Sequence, residues 1–362
     1  MMEPVLHVSH DIHVKPLDLS YEHYLDRSAI LYGATDSGKS TVLMEILNIL
    51  TNKIPVAFVF SPTADENETF RGTIPNSMIY PTVEIKTLEE IYNRQKGSTK
   101  TYNIVNNLVS LRKLFVRVAD RDMLIAEEEA IKNAQSIIKR KERDMNISHS
   151  GRKSLIAEVK KLKDSYLNKL YKHVIRSSKK IFRRMNLKES EKFIIKFLDF
   201  NPHCVIILDD CGAELKKFQN SEVLKKIFMQ GRHNHITLIL TLQDDKGLDT
   251  SIKKNAFVSI FTEIRCASAF FDRSSSSFNK SERIEAEKIV SFVLDKRYKK
   301  TYRKLYYMRD SPDPFRYRIS NIYEPFAFGC PKVWKYCARM TNGGGPCDIE
   351  NDPLLTPFRI NM

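Results

Sequence analysis

Residues 28–50 limit the folds open to this chain more than any other stretch. Ser28-Ala29-Ile30-Leu31-Tyr32 is short and apolar enough for a buried strand, Gly33-Ala34-Thr35-Asp36-Ser37-Gly38-Lys39-Ser40-Thr41 follows, and Val42, Leu43, Ile46, Leu47 and Leu50 then recur at helical spacing. Residues 33–40 spell G-x-x-x-x-G-K-[ST], a loop whose glycines let backbone N–H groups turn inward around a phosphate. Strand, glycine loop and helix is the order such a loop needs. Lys39 can reach the β- and γ-phosphates, the Ser40 hydroxyl can ligate Mg2+, and a helix beginning near Ser37 points its positive end at the anion. Residues Gly33 to Thr41 are therefore the candidate triphosphate-binding set.

A second apolar run, Cys204-Val205-Ile206-Ile207-Leu208, ends in Asp209-Asp210. Downstream of a P-loop, paired carboxylates at a strand end have a mechanical use: Asp209 can hold the Mg2+ shell while Asp210 orients and deprotonates an attacking water. Ile236-Thr237-Leu238-Ile239-Leu240-Thr241-Leu242 is a further strand, and it delivers Gln243 to its carboxyl end, where ligands sit in doubly wound sheets. Gln243 is a candidate γ-phosphate sensor. Arg232 lies just before that strand, at the opposite edge from its own nucleotide, so as a finger it could serve only a neighbouring subunit. His233 and His235 read as surface or packed histidines rather than metal ligands. Asp209-Asp210-Cys211-Gly212 satisfies D-x-x-G, but Asn52-Lys53-Ile54-Pro55 lacks the aspartate that would read guanine. ATP is the expected nucleotide.

The chain has 362 residues and a formal charge of +15, and the location of that charge matters more than its size. Residues 94–196 hold 27 Lys+Arg against 11 Asp+Glu, and the rest is nearly neutral. Within this segment Leu124, Ile131, Ile138 and Met145 fall seven apart, and Leu155, Val159, Leu162, Tyr166, Leu170 and Val174 continue at intervals of three and four. With Ser148-His149-Ser150-Gly151 between the runs, the pattern predicts an antiparallel helical hairpin with basic outer faces. Such a surface is either a solvated face or a contact for a phosphate backbone.

The remaining signals are local. Val56-Ala57-Phe58-Val59-Phe60 predicts a strand ended by Ser61-Pro62-Thr63; Thr87-Leu88-Glu89-Glu90 has capping-box form; Phe257 to Phe261 predicts a fifth core strand; residues 301–308 and 315–320 predict a hairpin. Six cysteines without a C-x-x-C pair read as reduced thiols, and the spacing of Cys330, Cys337 and Cys347 does not suit the common zinc sites. Neither a secretion signal nor an apolar run of about eighteen residues is present, which predicts a soluble protein without a membrane span. The predicted fold class is α/β: a P-loop NTPase core (1–93 and 197–325) with a mostly parallel central sheet, an inserted basic helical hairpin (94–196), a C-terminal β-hairpin, and a tail (326–362).

Taken as an ordered set, Gly33 to Ser40, Phe60-Ser61-Pro62-Thr63, Ile206-Ile207-Leu208-Asp209-Asp210-Cys211 and Gly231-Arg232-His233 leading to Thr241-Leu242-Gln243-Asp244 resemble the FtsK/HerA superfamily. Within it the similarity is to the virion DNA-packaging ATPases of nucleocytoplasmic large DNA viruses, the poxvirus type included. The resemblance covers about residues 25–93 and 197–265. It implies a homo-oligomeric ring, expected to be a hexamer, that hydrolyses Mg-ATP and pulls double-stranded DNA into a capsid, with capsid or other virion proteins as partners and the host cytoplasm or virion as location. The alternative is a P-loop switch or assembly module that binds nucleic acid or protein without translocation. Asp36 stands where the family commonly has glycine, and Asp210 replaces the glutamate usual in the wider superfamily, a pair that the viral branch often shows.

Overall fold

The computed structural model describes residues 4–63, 69–144, 148–218, 221–243, 250–272, 278–295, 297, 303–320 and 324–341. Expectations for Met145, Asp244, the serine tract 274–277 and residues 342–362, Cys347 included, lie outside the described residues. The chain divides into two compact units, Met1–Ser98 with Asn201–Met362, and Thr99–Phe200.

The larger unit is built on ten strands: β1 (Leu6–His7), β2 (His13–Pro16), β3 (Ser28–Tyr32), β4 (Val56–Phe60), β5 (Ile79–Tyr80), β6 (Cys204–Asp209), β7 (Ile236–Leu242), β8 (Val258–Phe261), β9 (Arg303–Met308) and β10 (Phe315–Ile319). Their order across the sheet is β1-β2-β10-β9-β8-β3-β7-β6-β4-β5. The six from β8 to β5 are all parallel. These strands read as continuous apolar runs because both faces are covered, and every residue of β4, β7 and β8 is buried. The hairpin β9–β10 joins β8 antiparallel, and β10 pairs with β2 in parallel, so the complete sheet is mixed. This is an α/β, P-loop-NTPase-like fold.

Strand β7 comes after both β3 and β6 in the chain yet lies between them, in register through Ile30 against Leu240 and Ile206 against Leu238. The P-loop strand and the Asp209 strand are thus two inter-strand spacings, about 10 Å, apart. The helix Lys39–Leu50 buries Val42, Leu43, Met44, Ile46, Leu47 and Leu50 in the core that also takes Ile30, Val59, Ile206, Ile239 and Ile260. Glu45 on that helix is buried too, and its carboxylate accepts from Arg318 of β10 at 2.6 Å. The stretch after residue 326 contributes to the same core through Phe328, Val333 and Cys337, the last two on the helix Pro331–Thr341. Gly329 adopts φ 80 with Pro55 O only 2.4 Å from where a Cβ would stand, so no larger residue fits there.

Two local expectations shift. The helix containing Thr87 begins at Ile85, and the Thr87 hydroxyl donates to the Glu84 carboxylate, so no capping box opens there. In the smaller unit the helices Arg121–Arg143 and His149–Ser177 form, with Ser148 capping the second through Gly151 N–H, so the helix starts inside the stretch read as the turn. The buried positions of the first helix are Glu127 and Ala134, and Leu124 is exposed. Ile131, Leu170 and Val174 of the predicted pattern do join the core of this unit, but Leu111, Leu114 and Phe115 of the helix Leu108–Val116, packed on Leu167, Tyr171, Val174 and Ile175, supply much of it. Glu127 enters to receive Arg112 at 2.5 Å and the Tyr171 hydroxyl. This unit carries 25 Lys+Arg against 12 Asp+Glu.

Candidate functional site

The carboxyl ends of β3, β6 and β7 meet at one edge of the sheet, and each delivers a part of the site. At the end of β3, the Gly33 N–H donates to Leu242 O of β7 at 3.0 Å, tying the loop's first residue to its neighbouring strand. A Cβ on Gly33 would stand 1.7 Å from Thr262 Oγ1 and 2.5 Å from Ser37 Oγ, so glycine is required here by contact. Gly38 holds φ 88 as the residue before the helix. Asp36 holds φ 57 and is exposed; the position calls for a left-handed residue, and aspartate is one of the few that tolerate it in place of glycine. The buried Lys39 ammonium donates to Gly33 O at 2.8 Å and Ala34 O at 3.0 Å, which folds it over the loop, and Ser40 is exposed beside it. Ala34 and Thr35 are exposed, Thr41 is half-buried, and Ser37 Oγ donates to Ala34 O at 2.7 Å.

At the end of β6, Asp209 Oδ1 accepts from Thr241 Oγ1 at 2.6 Å and Oδ2 from Ser61 Oγ at 3.1 Å. The same Thr241 hydroxyl accepts the Asp210 N–H at 3.0 Å. Burial raises the Asp209 carboxyl above the usual carboxylate range; the Thr241 hydrogen bond lowers it, the adjacent Asp210 raises it, and Ser61 and the Lys39 ammonium lower it. Asp210 holds φ 51, and its Oδ1 is buried with no hydrogen-bond partner among the described residues. A half-buried acid pair, with one oxygen lacking a partner among the described residues, at the same sheet edge as the exposed Ser40 hydroxyl, is a donor set that fits a hard divalent cation such as Mg2+.

Gln243 follows β7 at this same edge, exposed, with its carbonyl accepting from the Cys266 thiol at 3.4 Å. Arg232 is not part of the constellation. It sits exposed in the 3-10 turn Gly231–Asn234 before β7, seven residues of strand, or about 23 Å, from the P-loop edge.

Four contributors escaped sequence reading. Ser61 and Thr241 hold Asp209 from neighbouring strands; both lie in segments singled out for other reasons, but hydroxyl placement has no periodic signature. Thr262, just past β8, donates to Tyr32 O at 3.1 Å and contacts Ser37 Oγ at 2.6 Å, bracing the loop from below. Lys304 of β9 is buried and its ammonium donates to Ser37 O; burial holds its pKa down to about 8. Its role depends on β9 joining the sheet, which local sequence does not reveal.

No protein-family model matches the chain. Over 369 residues it is 28% identical to "Uncharacterized protein B354L" of African swine fever virus, a match spanning 96% of this chain and 97% of the relative. A 58-residue stretch is 33% identical to "Uncharacterized protein L437" of Acanthamoeba polyphaga mimivirus, covering 16% of this chain and 20% of that one. Among solved structures, the genome packaging NTPase B204 from Sulfolobus turreted icosahedral virus 2 in complex with ATP-gammaS aligns with a TM-score of 0.34 at 16% identity, over 81% of this chain and 96% of its own. EssC (ATPases 2 and 3) from Geobacillus thermodenitrificans aligns with a TM-score of 0.36 at 12% identity, over 88% and 44%. Among the described residues no helix is long and apolar enough to cross a membrane.

Proposed function

We propose that the chain is an ATP-hydrolysing motor of the FtsK/HerA type that moves double-stranded DNA during viral genome packaging. The observation that carries this reading is that the P-loop bearing Lys39 and the Asp209–Asp210 pair stand at one sheet edge on either side of β7, with a buried Asp210 oxygen that has no partner among the described residues. Lys39 would bind the β- and γ-phosphates, with the loop N–H groups of residues 33–41 around them. Ser40 and Asp209 would hold Mg2+, which when bound neutralises charge between the phosphate oxygens. Asp210 accepts a proton from the attacking water at its free oxygen, and Gln243 reports the γ-phosphate to β7. The basic Thr99–Phe200 unit offers a cation-dense surface to a duplex backbone, for which no base contact is needed.

Arg232, too far along β7 to serve its own loop, would act on a neighbouring subunit's nucleotide, which calls for a ring; a hexamer is the form we expect. Capsid or other virion proteins would be the docking partners, at a cytoplasmic assembly site or in the virion. ATP turnover measured with and without double-stranded DNA at low salt tests the reading. We expect stimulation by DNA, and loss of turnover by at least about 100-fold in Lys39→Ala and Asp210→Asn. Turnover indifferent to DNA at low salt, where phosphate contacts are strongest, would reject translocation and leave a nucleotide switch.

A further inference from the structure

At the other end of the same strands stands a second, half-buried polar constellation, and nothing in the nucleotide site uses it. Asp26 leads into β3, His203 into β6, and His235 into β7. Nδ1 of His203 lies 2.8 Å from Asp26 Oδ1, and Nδ1 of His235 lies 3.2 Å from Asp26 Oδ2. One ligand atom from each of the three residues falls within 4.8 Å of the others, and the two imidazoles meet edge to face. The side chains are 19% to 25% exposed, so solvent reaches the cluster and can complete a coordination shell.

The backbone behind each residue is held in place. Asp26 N–H donates to the buried Thr237 hydroxyl at 2.9 Å, His203 N–H to Asn201 Oδ1 at 3.0 Å, and His235 O accepts from Cys204 N–H at 3.0 Å. Asp26 and His235 hold left-handed φ values of 58 and 57. Among the described residues only two other non-glycines do so, Asp36 and Asp210, and both belong to the nucleotide site. A non-glycine residue in this conformation is strained and persists where the surroundings over-determine it, commonly at functional sites.

Two imidazoles and one carboxylate form an N2O donor set suited to a divalent transition ion. Zinc bonds of about 2.0–2.1 Å at tetrahedral angles place ligand atoms about 3.3 Å apart. The two His–Asp distances, 2.8 and 3.2 Å, run to the two different oxygens of Asp26, and the three ligand atoms, one from each residue, lie within 4.8 Å of one another, a span that ring and carboxylate rotation can close onto one ion. We propose that Asp26, His203 and His235 form a divalent metal site, with Zn2+ the best fit, that clamps the lead-ins of β3, β6 and β7. The opposite ends of those three strands carry the P-loop, the aspartate pair and Gln243, so the ion would fix the relative register of the parts that the nucleotide meets. The proposal does not depend on whether the P-loop hydrolyses ATP.

The test uses the full chain stripped with chelator, titrated with Zn2+ alone and then with Co2+ as a spectroscopic reporter. We expect one ion per chain, retained in Lys39→Ala, and a Co2+ spectrum without a thiolate charge-transfer band. Affinity should fall by roughly 100-fold or more in His203→Gln and in His235→Asn, asparagine being chosen because it accepts the left-handed backbone. Circular dichroism of the metal-free variants verifies folding, and the Co2+ spectrum of the unmodified chain stands whether or not a variant folds. No stoichiometric binding, unchanged affinity in both folded variants, or a thiolate band placing the ion on cysteines would each overturn the site.

Discussion

Replacing Lys304 by methionine should make the protein more stable and its nucleotide binding weaker, a pair of opposite signs that few other substitutions would give. The side chain is buried, its ammonium donates to Ser37 O in the P-loop, and burial lowers its pKa from an ordinary 10.5 to about 8. At pH 7 the folded state therefore carries a charged-lysine penalty of about 3 kcal/mol, at 1.36 kcal/mol for each pKa unit. Between these two values the unfolded chain binds more protons than the folded one, so wild-type stability rises with pH from about 8 to 10.5, and the penalty is at full size below 8. Methionine fills similar volume without the charge. Urea unfolding at pH 7 should show Lys304→Met more stable by up to about 3 kcal/mol, and the gap should close by about pH 10.5. A fluorescent ATP analogue should bind roughly tenfold more weakly, the worth of one charge-assisted hydrogen bond to the loop. A variant less stable at pH 7, or a stability gap that does not change with pH, would refute the reasoning.

Other expectations follow from contacts already described. Gly33→Ala forces a Cβ against Thr262 Oγ1 and should abolish nucleotide binding as read by equilibrium dialysis, while Thr262→Ala in the same chain should restore part of it by removing the obstructing oxygen. Arg318→Met leaves the buried Glu45 carboxylate without its guanidinium and should cost about 3 kcal/mol in urea unfolding, most of it recovered in Glu45→Gln/Arg318→Met. Excising residues 99–200 with a short linker should preserve nucleotide binding and remove most salt-sensitive affinity for double-stranded DNA, measured by fluorescence anisotropy.

What could be read from the sequence divides along a physical line. Apolar runs such as Val205–Leu208 and Leu238–Leu242 announce doubly covered strands because burial on both faces leaves little room for polar residues beyond a hydrogen-bonded hydroxyl such as Thr241, and the glycine-lysine loop is legible because its backbone geometry dictates its spelling. Pairing order is a different matter, since β7 could be placed between β3 and β6 only by inference from the kind of loop present. The helical unit misled because periodicity reports which residues could be buried; Leu124 fits a heptad and stays exposed, while Glu127, which no hydrophobic pattern selects, is buried by its bonds to Arg112 and Tyr171. His235 read as ordinary packing for a related reason: its acidic neighbour Asp26 lies 209 positions earlier.

The late arrival of β7 also bears on synthesis. A ribosome releases residues 28–32 and 204–209 before it releases the strand that must separate them, and the entire Thr99–Phe200 unit emerges in the interval. Until residues 236–242 thread into place, the two apolar strands expose unpaired edges to every other nascent chain nearby. A transcript truncated near residue 235 should therefore yield aggregates rather than a partial domain, and chaperones would be needed most during that short window of elongation.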